Sequence, residues 1–72
     1  MKSLEALIAD GGQISIGSVD WSQCVASAND AHNMLATLIR HEQETLPQLL
    51  RRLDKAVKLA YTTGEITDET ND

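Results

Sequence analysis

The chain has 72 residues, a single cysteine and a net charge of −5, with 11 Asp+Glu against 6 Lys+Arg. It is 42% hydrophobic but only 3% aromatic, so a core must be assembled from Leu, Ile, Val and Ala. This length allows one domain; the lone Cys24 excludes an internal disulfide, and Cys24, His32 and His41 fall short of the roughly four ligands of a structural zinc site.

A domain this small buries only roughly 60% of its unfolded surface, so its stability is marginal without help. A homodimer or another protein partner is therefore expected. The cysteine usage suits a reducing, cytoplasmic setting. The N-terminus does not read as a signal peptide, because Glu5 and Asp10 interrupt a very short apolar run and Lys2 is the only early cation. No stretch approaches the roughly 20 apolar residues of a membrane span. Charge is uneven: residues 1–39 carry a net −3, residues 40–58 a net +2 and residues 59–72 a net −4.

In chain order, Ser3 is placed to cap a short helix over residues 4–10, with Leu4, Leu7 and Ile8 as its apolar face and Gly11 just beyond it. A helix this short must pack on something to persist. Gln13-Ile14-Ser15-Ile16 alternates with period two and reads as a short strand. Residues 17–23 read as a turn or loop, with Trp21 as its anchor to the core.

Residues 24–40 fit two patterns. As a hairpin, residues 24–28 and 34–40 are strands and Asn29, Asp30, Ala31, His32 and Asn33 form the turn, with residue types that tolerate turn geometry. Leu35, Thr37 and Ile39 then take one face, and Met34, Ala36 and Leu38 the other. As a helix, Val25, Ala28, Ala31 or His32, Leu35 and Leu38 or Ile39 also keep a 3.6-residue period. Asn29, Asp30 and Asn33 favour the hairpin, because their side chains compete for the backbone within a helix.

The last element is the clearest. Thr45 and Gln48 form a capping box, with Pro47 in the first turn, where its missing N–H costs nothing. Leu46, Leu49, Leu50, Leu53, Ala56, Val57, Ala60 and Tyr61 then make an amphipathic stripe. Lys55 and Lys58 suit the C-terminal end of the dipole, and Gly64 suits the cap. Residues 65–72 are polar and acidic and read as a flexible tail, with Ile66 as its one apolar anchor.

From Leu38 to Asn71 the chain resembles a type of short, uncharacterised bacterial protein. The residues that carry the likeness are Arg40, then Glu44-Thr45-Leu46, Leu49-Leu50, Arg52-Leu53-Asp54 and Ala56, and finally Thr67-Asp68-Glu69 with Asn71. Gln43 stands where such proteins commonly have a turn glycine, and Thr70 where they commonly have Ile. The resemblance implies a strand followed by a helix and brings no activity, since none is assigned to that type.

Residues that suggest chemistry do not assemble into a constellation. Gly12 and Gly17-Ser18 have phosphate-loop glycine spacing but lack the lysine that reaches the phosphates. His41-Glu42 begins a zinc-protease motif that ends on Thr45 instead of His. Cys24 and His32 lack an orienting third group. We expect no enzyme, cofactor or metal. Two binding surfaces stand out instead. Arg40, Arg51, Arg52, Lys55 and Lys58 form a basic face that suits phosphates or solvent. Asn29, Asp30, His32 and Asn33 form a polar loop.

The expected fold is α+β: a short N-terminal helix, a small antiparallel sheet of two or three strands, and one long C-terminal helix, in a domain of residues 1–64. The alternative is an all-α hairpin of residues 22–41 and 45–63. The expected buried set is Leu35, Leu38, Leu46, Leu49, Leu50, Leu53, Val57 and Trp21. The expected function is non-enzymatic binding of another protein, in a bacterial cytoplasm. Its alternatives are a DNA-binding regulator that uses the basic helix face, and an acidic decoy from a mobile element.

Overall fold

A computed structural model describes residues 1–18 and 23–70. The elements run α1 (Lys2–Ala9), β1 (Gln13–Ser18), β2 (Cys24–Asn29), β3 (Met34–Ile39), α2 (Leu46–Thr63) and β4 (Thr67–Asp68). The fold is α+β, and residues 24–40 are the hairpin. Among the described residues the sheet has four strands in the order β1-β2-β3-β4, not two or three. It is mixed, because β4 joins β3 in parallel while the other pairs are antiparallel.

The register explains the two faces. Ile14 opposes Ala28, Ile16 opposes Ala26, and these alanines oppose Ala36 and Leu38. That face joins Leu4, Leu7, Leu49, Leu53, Ala56 and Val57 in one core, so both helices cover the same side of the sheet. Three alanines on the central strands leave room for α2 to lie close. Successive strand residues point to opposite faces, so Ser15, Ser27 and Thr37 make a cross-strand row on the other side. The strict alternation expected along β3 is broken by a register shift at Ala28/Asn29. Leu35 and its neighbour Ala36 are consequently both buried in the core.

The helix α2 forms as its sequence dictates. The Thr45 hydroxyl accepts from Gln48 N (3.3 Å), the Gln48 side chain accepts from Thr45 N (2.8 Å), and Gly64 closes the helix at φ 78°. In contrast, Ser3 does not cap α1, which starts two residues earlier, at Lys2, with Met1 as its N-cap and no side-chain cap. Asp54 of α2 substitutes, its carboxylate accepting from Leu4 N at 3.0 Å. An acceptor 50 positions away in sequence thus satisfies an orphan N–H of the first turn.

Of the expected core, Leu35, Leu38, Leu49, Leu53 and Val57 are buried. Leu50 is half-buried at the core margin. Leu46, the first residue of α2, is 51% exposed. Trp21 lies outside the described residues. Within the acidic segment expected as a flexible tail, Thr67–Asp68 pair with β3 as β4. Its anchor is not Ile66, which is exposed. Glu69 holds it, donating its N–H to Thr37 O (2.9 Å) while its carboxylate accepts from Ile39 N (2.9 Å).

Leu53→Ala should cost about 2–5 kcal/mol in chemical denaturation, because Leu53 is fully buried. Leu46→Ala should stay within about 0.5 kcal/mol, in keeping with an exposed site. Gln43 occupies left-handed backbone at φ 69°, a conformation that side chains disfavour. Gln43→Gly should therefore raise stability by up to about 1 kcal/mol despite its looser unfolded chain. A lowered denaturation midpoint would contradict this.

Candidate functional site

The basic face read from the sequence divides in two. Arg52 is not a free cation. Its Nε and Nη2 make a two-pronged pairing with the Glu44 carboxylate (2.7 and 3.0 Å). Nη1 donates to Glu69 (2.8 Å) and Nη2 also donates to Ile39 O (2.9 Å). One guanidinium thereby ties α2 to the turn before it, the end of β3 and the segment after β4. Arg40 is similarly engaged, donating Nε–H to Glu44 O at 2.7 Å. Arg51, Lys55 and Lys58 remain exposed at helical spacings of four and three, so they share one solvent stripe. Asp54, which lies between them in sequence, turns to the α1 terminus instead.

The polar loop is a self-satisfied turn. Asp30 Oδ1 accepts from His32 N (2.8 Å) and Asn33 N (2.6 Å), and Asp30 N donates to Asn33 O (2.9 Å). These two backbone donors hold the Asp30 carboxyl below its ordinary value. Asn29 Nδ2 donates to Asp30 O at 3.3 Å. His32 and Asn33 are exposed at the tip of the β2–β3 turn.

The hairpin separates the Cys24–His32 pair considered in the sequence. Cys24 opens β2 and His32 lies in the turn beyond its far end, roughly 17 Å away along a six-residue strand. The residues sharing a polar hollow with Cys24 are Ser18, Gln23, Arg40, His41, Glu42 and Gln43. Gly12 has a packing role, not a phosphate-loop role. A Cβ there would press into the Leu7 side chain and lie 2.9 Å from Asn29 O, so glycine lets α1 settle onto the sheet. Among the described residues, no three His, Cys, Asp or Glu side chains converge as a metal site.

The surface that sequence reasoning missed lies on the opposite flank. Met1, Leu4, Ile8, Ala9, Ile14 and Leu50 line a groove among α1, β1 and α2, with Glu5 at its rim. Ile8 is 53% exposed there, and Ile16, on the same face of β1, is 38% exposed. The groove borders the outer edge of β1, a six-residue strand with the sequence QISIGS. Natural edges are commonly blunted by short length, charge or proline. The β4 edge is two residues long and carries Asp68, whereas residues 11–18 carry no charge and no proline. That uncharged run, together with three isoleucines at 8, 14 and 16, was the legible signal.

No protein-family model, curated protein or solved structure matches this chain. Among the described residues, no helix is long and apolar enough to cross a membrane.

The Arg52 cluster makes stability pH-dependent. Chiefly through the Arg52 guanidinium, then through the His41 N–H, the Glu44 carboxyl is lowered from 4.5 to about 2. A carboxyl held low in the folded state contributes stability above its unfolded value and loses it as pH falls through the folded one. Unfolding free energy should therefore decline as pH drops from about 4.5 towards 2, and Glu44→Gln should flatten that decline. Arg52→Ala should lower the melting temperature at pH 7 far more than Arg51→Ala. Equal effects would show that the cluster is not a structural tie.

Proposed function

We propose that this chain is a non-enzymatic protein-binding module whose working surface is the apolar groove and the adjoining β1 edge. The observation that carries the reading is their adjacency. A groove lined by Met1, Leu4, Ile8, Ile14 and Leu50 lies beside an uncharged strand whose outer edge has no partner strand among the described residues. Apolar side chains supply area-proportional affinity, and a free strand edge supplies directional backbone hydrogen bonds to an added strand. The bacterial cytoplasm is the setting proposed for it, on the resemblance and the reduced cysteine economy.

The alternative is a nucleic-acid binder. It is supported by the exposed Arg51, Lys55 and Lys58 stripe and weakened by the engagement of Arg40 and Arg52 within the fold. A net charge of −5 also opposes long-range attraction to phosphates.

Capture on immobilised chain from a bacterial extract, with added labelled chain as one of the candidates, tests the proposal. Wild type should retain at least one specific protein, and Ile8→Glu should reduce that retention at least tenfold while its circular dichroism stays unchanged. Retention indifferent to Ile8→Glu, or none, would overturn it. A duplex gel shift at low salt abolished by Lys55→Glu would favour the alternative.

A further inference from the structure

We infer that the groove and β1 edge receive a second copy of this chain, by antiparallel pairing of β1 with β1 across a two-fold axis at Ser15. This inference rests on the protein-binding reading above and names its partner. The resulting assembly is a continuous eight-stranded sheet with all four helices on one side.

The register follows from the sequence of the edge. In an antiparallel pair, residues directly opposite each other lie on the same face of the sheet. A two-fold axis at Ser15 sets Ser15 opposite Ser15 of the second copy and Ile14 opposite its Ile16. Both isoleucines lie on the helix-covered face of each copy. The axis therefore joins the two apolar grooves into one patch and sets the Ser15–Ser27–Thr37 rows end to end on the other face. A one-residue slip would set isoleucine against serine and send the helices of the two copies to opposite sides. Isologous pairing needs a self-complementary surface, and I-S-I centred on Ser15 has that symmetry.

Of the two edges of the sheet, β1 is the one without charge. Two copies carry a net −10 and repel wherever acidic surfaces meet, yet residues 11–18 are uncharged. The opposite edge would instead bring Asp68 against Asp68. Size sets the strength. An ordinary interface covers about 800 Å² on each partner, roughly one-sixth of the 4953 Å² surface of this chain. The strand and the groove lining together supply about a dozen residues, against about 20–30 per side in an ordinary interface. The association is consequently reversible and concentration-dependent.

Sedimentation equilibrium of the full chain from about 1 µM to about 1 mM should show a monomer–dimer equilibrium. Ser15→Lys sets two like charges opposite each other at the axis. It should weaken dimerisation at least tenfold with unchanged circular dichroism, Ser15 being exposed in the monomer. The register has its own readout. In a Cys24→Ala background, Ser15→Cys should form an intermolecular disulfide on mild oxidation, because opposed residues lie about 4.5–5.5 Å apart between Cα atoms. Ser27→Cys, one strand further in, should not. A monomer throughout this range, a dimer indifferent to Ser15→Lys, or cross-linking at Ser27→Cys in place of Ser15→Cys would overturn the inference. A monomer that still captures a different protein through Ile8 would overturn the second copy and leave the protein-binding reading standing. A monomer that captures nothing would remove both.

Discussion

The fold depends on one guanidinium. Arg52 reaches from the second turn of α2 to Glu44 before the helix, Ile39 O at the end of β3, and Glu69 after β4. Each of these segments is polar backbone or acidic side chain that apolar packing cannot place. Glu44 is the costly member, since its side chain is only 7% exposed. Without a cation it would be a carboxylate withdrawn from water with no compensating charge. The planar fork of arginine satisfies several acceptors at once, which a lysine ammonium would not do in the same geometry. The guanidinium is raised above its ordinary value by Glu44 first, so cation and anion stabilise each other's charged forms.

This tie also decides which edge of the sheet is available. Glu69 docks onto Arg52 and the β3 backbone, and that docking carries β4 into the sheet. One side of the sheet thereby ends in a two-residue strand bearing Asp68. The other side ends in β1, whose six residues have neither charge nor proline. The helices repeat the asymmetry. The core packs Leu4 and Leu7 of α1 inward, while Ile8 points past the edge of α2 into the groove. A short helix capped from outside by Asp54 is held in place with an apolar residue to spare.

The alternation in β1, the hairpin turn chemistry and the amphipathic α2 with both caps were all legible in the sequence, because each is a local regularity. The capping box, for example, is satisfied within four residues. Pairings across long sequence gaps were not legible. Nothing near Ser3 reveals that Asp54 serves its helix, and nothing in Thr67-Asp68 reveals a parallel partner in β3. The basic face was misjudged for the same reason. Periodicity placed Arg52 on a solvent stripe, yet its length lets it fold back onto Glu44 and Glu69. The groove was half legible, as an uncharged run and three isoleucines, but their convergence on one flank was not.

By itself the sequence determined the limits of α2 and most of the buried leucines, and it favoured the α+β class and the hairpin of residues 24–40 over a helical alternative. Period, capping and turn preference act within a few residues and need no knowledge of the rest of the chain. Tertiary structure alone decided the fourth strand, the register shift that buries Leu35 beside Ala36, the internal use of Arg52 and the open edge at β1. These depend on which distant groups are brought within hydrogen-bond reach. An edge, moreover, is a property of the assembled sheet: a strand's own residues do not state whether both of its sides will be paired.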